Sequence, residues 1–473
     1  MDRAATERGS TTPELGGAAD TALVAARIDR IPMVPFHRHM GRTLGLGTFF
    51  DGFDAISVAV VLAVIVQVFG IDFSTAGLII SAGYVGQLLG ALGVGALSDR
   101  IGRRRAFVLS LVVFGALSLA SAFAWSATSL MVFRLLQGIG LGGEVPVAGA
   151  LLSEYLGVRN RGRASVVYQT AFMMWGFFFA PLVALASITT FGAQDGWRVL
   201  FAIGALPLLL AAYAWFRLPE SARWLAQQGR GAEADALVTR MEQQARAAGH
   251  ELVAPVPAQA SAGRLRTGEI FAPAYRRRTA MLAAVWFTAF FVTYGYTVWL
   301  PTLYVSVGGL PPTSSLALTV VLGAVTLAMV YANAYLVETV GRKPLLTTGF
   351  AVMATGALLA AVLTGPLGAR TWQTLFGCAL VLAVGATLVT GSLYFYTAEL
   401  FPTRMRGWAT SACSSMNRLA SVLSPILVGA LLDGAGGVGA VFGCFAVAAL
   451  VGAVVMGTVG IETRGRSLED ISG

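Results

Sequence analysis

Charge is scarce in this chain. Asp, Glu, Lys and Arg make up 12% of its 473 residues, against roughly 25% in ordinary soluble domains. With 56% hydrophobic residues beside it, that shortage excludes a soluble domain that is merely large. Lysine is almost missing: Lys343 is the single lysine among 33 basic residues. Cysteine is rare too. Cys378, Cys413 and Cys444 lie in apolar segments with neither disulfide nor zinc spacing, which suits small buried thiols. No catalytic triad, nucleotide loop or metal-spaced cluster stands out, so the expectation is no enzyme, no cofactor and no metal. GIGLGG at 138–143 has no strand before it and serves close helix packing. The first forty residues hold no short apolar core followed by a cleavage site. The run from Gly41 is too long for a signal peptide and is expected to remain as a span.

What is abundant is long apolar helix. About 20 mainly apolar residues cross a bilayer, and twelve such segments are predicted. They run over 41–69, 75–98, 106–125, 129–156, 164–190, 197–216, 278–306, 313–337, 344–364, 371–398, 408–432 and 438–461. The connectors alternate in charge. Arg100, Arg103, Arg104 and Arg105 follow the second segment, Arg159, Arg161 and Arg163 the fourth, Arg342 and Lys343 the eighth, and Arg404 and Arg406 the tenth. The opposite connectors, such as 71–75 and 305–312, hold no Lys or Arg. Basic residues gather in cytoplasmic loops, so both termini and the loop at 217–277 are expected in the cytoplasm. The net charge of +9 is then a topology signal and not a sign of nucleic acid.

The chain also repeats itself. SDRIGRRR at 98–105 matches VETVGRKP at 337–344, pairing Asp99 with Glu338, Gly102 with Gly341 and Arg103 with Arg342 at an offset of 239. SEYLGVRNRGRA at 153–164 matches AELFPTRMRGWA at 398–409, pairing Glu154 with Glu399 and Arg161 with Arg406 at an offset of 245. Two ordered matches at nearly one offset predict an all-α integral membrane protein of twelve spans in two pseudo-symmetric six-helix halves. The divisions expected are a tail at 1–40, a first half at 41–216, a linker at 217–277, a second half at 278–461 and a tail at 462–473. PESARWLAQQGRGAEADALVTRMEQQARAA at 219–248 reads as surface helix within that linker.

From about residue 40 onward the chain resembles the major facilitator superfamily. The pattern G-x-x-x-D-R-x-G-R-R appears at Gly95, Asp99, Arg100, Gly102, Arg103 and Arg104, and R-x-x-Q-G-x-G at Arg134, Gln137, Gly138 and Gly140. PESARWL at 219–225 and ETRGRSLED at 462–470 are similar to sugar-porter signatures. DGFD at 51–54, GIGLGGEVPVA at 138–148 and YTAELFPTRMRG at 396–407 resemble the metabolite:proton symporters, which include niacin- and aromatic-acid-transporter-like proteins. The resemblance implies two halves around a central cavity, alternating access, a bacterial inner membrane and a monomer whose partners are a small substrate, protons and lipid. It also implies a gate network of Asp99, Arg100 and Arg103 that locks one half to the other in an outward-facing state. The alternative is plain positive-inside topology and capping. In the second copy Glu338 and Thr339 replace Asp and Arg, which weakens the lock. Glu154 with Arg161 and Glu399 with Arg406 are expected to brace the same gate.

Two acidic residues lie deep in the first span. Asp51 and Asp54 are three apart and share a helix face. Asp54 falls about 20 Å from Gly41 at 1.5 Å per residue, past the middle of a core about 30 Å thick. An ionised aspartate there costs about 2.5–3.5 kcal/mol, and taking up a proton lowers that cost. Proton coupling or substrate binding is therefore expected of Asp51 and Asp54, beside the alternative of structural acceptors or ion-pair partners. Arg418 reaches cavity depth and needs a partner: a substrate carboxylate, or a lasting pair with Asp51 or Asp54. The resemblance associates Arg134 with proton coupling, and Glu144 is read as its partner or as a second proton site.

The aromatics leave two readings open. Tyr294, Tyr296 and Trp299 suit either an interfacial belt or a wall for a planar ligand. Tyr394, Tyr396, Tyr168, Gln169 and Trp175 carry the same ambiguity. From Thr279 to Val305 there is no Asn or Gln, and a hexose would leave polar atoms unmatched at about 1–3 kcal/mol each. The expected substrate is a small organic acid, aromatic or heteroaromatic, taken up with protons; Arg418, Tyr294, Tyr296, Tyr394 and Gln169 are the candidate contacts. Proton-antiport export of drugs or metabolites, sugar:proton symport and a non-transporting sensor are the alternatives.

Overall fold

The computed structural model describes residues 18–157, 160, 164–255, 267–402 and 405–464, with the side chains at 18–20, 96, 166, 267 and 338 outside that description. The described chain is helical because backbone polar groups in hydrocarbon must be satisfied within the segment itself. Helix α1 is Ala18–Asp29. The first half follows as α2 Pro35–Phe69, α3 Phe73–Ile101, α4 Arg103–Ala122, α5 Ala127–Tyr155, α6 Ala171–Ile203 and α7 Pro207–Arg217. The linker forms α8 Ala222–Gln227 and α9 Gly231–Ala247. The second half is α10 Arg276–Ser306, α11 Pro312–Val340, α12 Arg342–Thr364, α13 Trp372–Glu399, α14 Arg406–Asp433 and α15 Gly437–Val459.

Eleven described segments are long and apolar enough to cross a membrane. One of them, Val167–Arg217, is 51 residues long, about twice what one crossing needs. Gly192 breaks it with φ 78° and ψ 171°, a conformation open to glycine because it has no Cβ. The fifth and sixth crossings meet there, which makes twelve.

Packing repeats between the halves. Helix α2 lies on α6 as α10 lies on α14, and α4 lies on α5 as α12 lies on α13. The halves meet along α3–α14, α6–α11 and α2–α10. The turns between α3 and α4 and between α11 and α12 are near copies: Gly102 has φ 99° and Gly341 has φ 102°. Glu220 caps the first turn by accepting from Arg104 N at 3.1 Å. Glu462 caps the second by accepting from Arg342 N at 3.1 Å and Lys343 N at 3.0 Å.

Within the first half, α3 and α5 touch backbone to backbone. A Cβ at Gly138 would lie 2.2 Å from Gly83 O, and one at Gly142 would lie 2.0 Å from Gln87 O. GIGLGG thus serves the close packing expected of it.

The N-terminal tail differs from expectation. The first crossing starts at Pro35, six residues before Gly41: proline suits the first helical position, and Val34 N donates to His37 Nδ1 at 3.1 Å. Before it, α1 buries Val24 and Ile28 and packs against α8 and α9. Arg27 and Arg30 donate to Glu242 at 3.0 and 2.6 Å, and Arg27 also meets Asp235. Burial opposes ionisation of Glu242, but hydrogen bonds from Arg27 and Arg30 outweigh it and hold the carboxyl below its ordinary range. The linker helices form where surface helix was expected, with Val238, Met241 and Ala245 buried beneath them.

Candidate functional site

The centre of the bundle holds a charged pair in an apolar wall. Asp54 and Arg134 expose 1% and 5% of their surfaces. Arg134 Nη1 donates to both oxygens of Asp54, at 2.7 and 2.9 Å. Gln137 Nε2 donates to Asp54 Oδ1 at 2.8 Å and its own oxygen accepts from Arg134 at 2.9 Å. Asp54 comes from α2, Arg134 and Gln137 from α5, one helical turn apart. The glycines of α3 make room: a Cβ at Gly83 would lie 3.4 Å from Arg134 Nη2.

Across the seam stands Arg418 of α14, partly exposed. Its Nη1 donates to Gln87 Oε1 of α3 at 2.5 Å. It forms no salt bridge among the described residues. Tyr84, Tyr294, Tyr394 and Asp51 lie within electrostatic reach of it. Tyr84 and Tyr294 meet edge to face across the seam, ring centres 5.1 Å apart. The rings continue through Phe290 and Trp286 to Tyr394, at 5.9, 5.3 and 4.6 Å. Asn417 lies beside the hydroxyls of Tyr294 and Tyr394. The result is one guanidinium set beside a corridor of aromatic rings.

Two pairings expected from sequence do not form. Asp54 is taken by Arg134, so Arg418 has Gln87 instead. Glu144 is not Arg134's partner: ten residues along α5 separate them by about 15 Å. Glu144 is 0% exposed and neither carboxyl oxygen has a hydrogen-bond partner among the described residues. Its Oε1 presses against Gly47, where a Cβ would come within 2.4 Å. The charge within reach among the described residues is Asp51, one turn beyond Gly47 on α2.

Two other candidates lie apart from Arg418. Tyr296 follows Tyr294 by two residues, about 200° around the helix, and is buried in the core at 6%. Trp299 is likewise in the core, against Phe73 at 5.9 Å, and not in an interfacial belt. Gln169 sits near the linker end of the bundle, accepting from Ser165 Oγ at 2.8 Å and pressed on Gly149. Sequence reasoning passed over Gln87, Tyr84 and Asn417. A polar residue in an apolar span is the signal that marks Gln87.

At the linker side the charged clusters close within each half. Arg103 meets Asp99 and, at 3.3 Å, Glu154. Arg342 meets Glu399 at 3.1 Å. No ion pair between the halves joins these clusters among the described residues. Arg100 is exposed, Arg406 has contacts of its own, and Arg161 and the Glu338 side chain lie outside the described residues. On the opposite side the halves are joined. Asp433 of α14 accepts from Phe73 N at 3.2 Å and Ser74 N at 2.7 Å, capping α3. Ser81 Oγ donates to Val422 O at 2.8 Å. Cβ atoms at Gly77 and Gly429 would lie 2.5 Å from Pro425 O and 2.4 Å from Phe73 O.

Comparison with known proteins gives this site a family. Residues 43–473 match the family described as sugar (and other) transporter. The chain is 32% identical to the niacin transporter NiaP of Acinetobacter baylyi over 449 residues, covering 95% of this chain and 99% of the relative. It is 30% identical to the 4-hydroxybenzoate transporter PcaK of Pseudomonas aeruginosa over 420 residues, covering 87% and 90%. The crystal structure of a D-xylose-proton symporter shares the fold at TM-score 0.73 and 18% identity, over 92% of this chain and 100% of that one. The chain belongs to the sugar (and other) transporter family of the major facilitator superfamily: it is a multi-pass membrane transporter of small molecules and not an enzyme.

Proposed function

We propose that this transporter takes up a small aromatic or heteroaromatic acid together with protons. The observation that carries this reading is Arg418, a guanidinium without a salt bridge among the described residues, set in an aromatic corridor beside a buried Asp54–Arg134 pair. Relatives named for niacin and 4-hydroxybenzoate transport support a ring bearing a carboxylate.

The parts act as follows. The substrate carboxylate binds Arg418 with charge-assisted hydrogen bonds, and its ring lies against Tyr294 and Tyr394. Asp54 exchanges a proton as access alternates; when protonated it releases Arg134, and when ionised it recaptures it. Asp51, facing the seam between Asp54 and Glu144, passes protons along that line. Asp99, Arg103, Glu154, Arg342 and Glu399 form the gate, and Arg100, Arg161, Glu338 and Arg406 are assigned to it from their sequence motifs. The arginine-rich connectors put the linker side and both termini in the cytoplasm, in a bacterial inner membrane, and the working unit is a monomer.

The test is uptake into proteoliposomes. Benzoate accumulation is expected under an inward proton gradient, at background with Asp54→Asn and with Arg418→Ala. Full accumulation by both variants overturns the reading.

A further inference from the structure

We infer that Gln87 competes with the substrate's carboxylate for Arg418, and that the carboxylate displaces it. The inference rests on the reading of Arg418 as the anion receptor. It adds a specificity-determining residue on the opposite half.

The geometry is a competition built across the seam. Gln87 Oε1 accepts from Arg418 Nη1 at 2.5 Å, joining helices α3 and α14, 331 residues apart in sequence. Gln87 exposes 5% of its surface. Its backbone is held from behind by α5, where Gly142 and Gly138 allow contact with Gln87 O and Gln87 N that a Cβ at either position would prevent, at 2.0 and 2.9 Å. The amide therefore sits on the same rigid layer as Arg134 and Gln137, while Arg418 belongs to the other half.

An amide is the right strength for this task. It satisfies one donor of a guanidinium and orients it, yet leaves the positive charge uncompensated. A carboxylate makes hydrogen bonds roughly twice as strong as neutral ones, so an anion replaces the amide where a neutral ligand does not. Had a glutamate stood at this position, Arg418 would be occupied by a partner that substrate could not outcompete. The other groups facing Arg418 do not substitute for Gln87: Tyr84, Tyr294 and Tyr394 are phenols, and Asp51 is within electrostatic reach but makes no salt bridge among the described residues. Displacement also cuts the side-chain hydrogen bond between the halves at this level, so binding an anion loosens the seam.

The experiment compares benzoate with its neutral isostere benzamide on the full chain in nanodiscs, by equilibrium binding. Gln87→Glu should weaken benzoate at least tenfold and leave benzamide within twofold. Gln87→Met, close in shape and without an acceptor, should tighten benzoate about threefold. A residue with only a structural role would weaken both ligands in both variants. Equal benzoate affinity in wild type and both variants overturns the inference, as does weakening by Gln87→Met. Should Gln87→Glu fail to fold, the sign of the Gln87→Met effect decides alone. Arg418→Ala separates the two readings: undiminished benzoate binding there ends the anion-receptor reading itself, whereas lost binding with unresponsive Gln87 variants ends this inference only.

Discussion

Arg134 holds Asp54 through one nitrogen, Nη1, while its Nε has no hydrogen-bond partner among the described residues. The pair is thus tied at a single point, with Gln137 completing it. Asn in place of Asp54 keeps an acceptor for Arg134 but cannot ionise. Asp54→Asn should therefore retain exchange of labelled for unlabelled substrate within severalfold and lose proton-driven accumulation. Parallel counterflow and uptake assays read both. Arg134→Met leaves a lone buried carboxylate and should destabilise the fold by about 3–5 kcal/mol at pH 7.

Glu144 leads to an opposite expectation for stability. A buried polar group without a partner costs about 1–3 kcal/mol, and Glu144 has none for either oxygen among the described residues. Glu144→Met should raise the melting temperature of the purified protein. Proton-driven accumulation should fall in the same variant, since residues that break packing rules in this way mark function. A variant that is less stable and fully active would contradict both parts.

The seam opposite the linker depends on two glycines. Gly77 and Gly429 let α3 and α14 approach until their backbones touch. Gly429→Trp should prop that side open. Substrate binding is expected to persist with uptake reduced to background, since the cycle cannot close. Uptake above half of wild type would show that this contact is dispensable.

The clasp between α1 and α9 should depend on pH. Glu242 lies below its ordinary carboxylate range, against burial, because Arg27 and Arg30 hydrogen-bond its ionised form. A depressed value means the stabilisation is complete above about pH 4.3, the ordinary value for Glu. It is lost as pH falls through the lower folded-state value. Hydrogen exchange across Ala18–Asp29 should be slow at pH 7 and speed up severalfold, after correction for intrinsic rates, at strongly acid pH. Glu242→Gln should show the fast pattern already at pH 7.

Long-range organisation was legible because it rests on period and repetition. The twelve crossings follow from apolar length. The two halves follow from the 239 and 245 offsets, and Gly102 and Gly341 confirm the equivalence with φ values 3° apart. Asp51, Asp54 and Arg418 were legible as costly residues at membrane depth, and Arg134 through the pattern it shares with the superfamily. Their pairing was not: which acid meets which base depends on how α2, α3, α5 and α14 rotate against one another, and that is decided by glycine contacts such as Gly142 on Gln87. Tyr296 shows the same limit, since a step of two residues, about 200° around the helix, sends it to the core while Tyr294 lies near Arg418. Helix α1 escaped notice because its short apolar stripe buries itself on the linker and not in the bilayer.

Glu220 and Glu462 each come from beyond the last helix of a half and cap a turn near its middle. Each half therefore has the segment after its last helix tied back to the turn between its second and third helices, like a hoop clasped partway round. A hoop resists shear between its members far better than an open row of rods. Movement of one helix against another within a half on that side would have to break these caps, so each clasped half is built to turn as a unit.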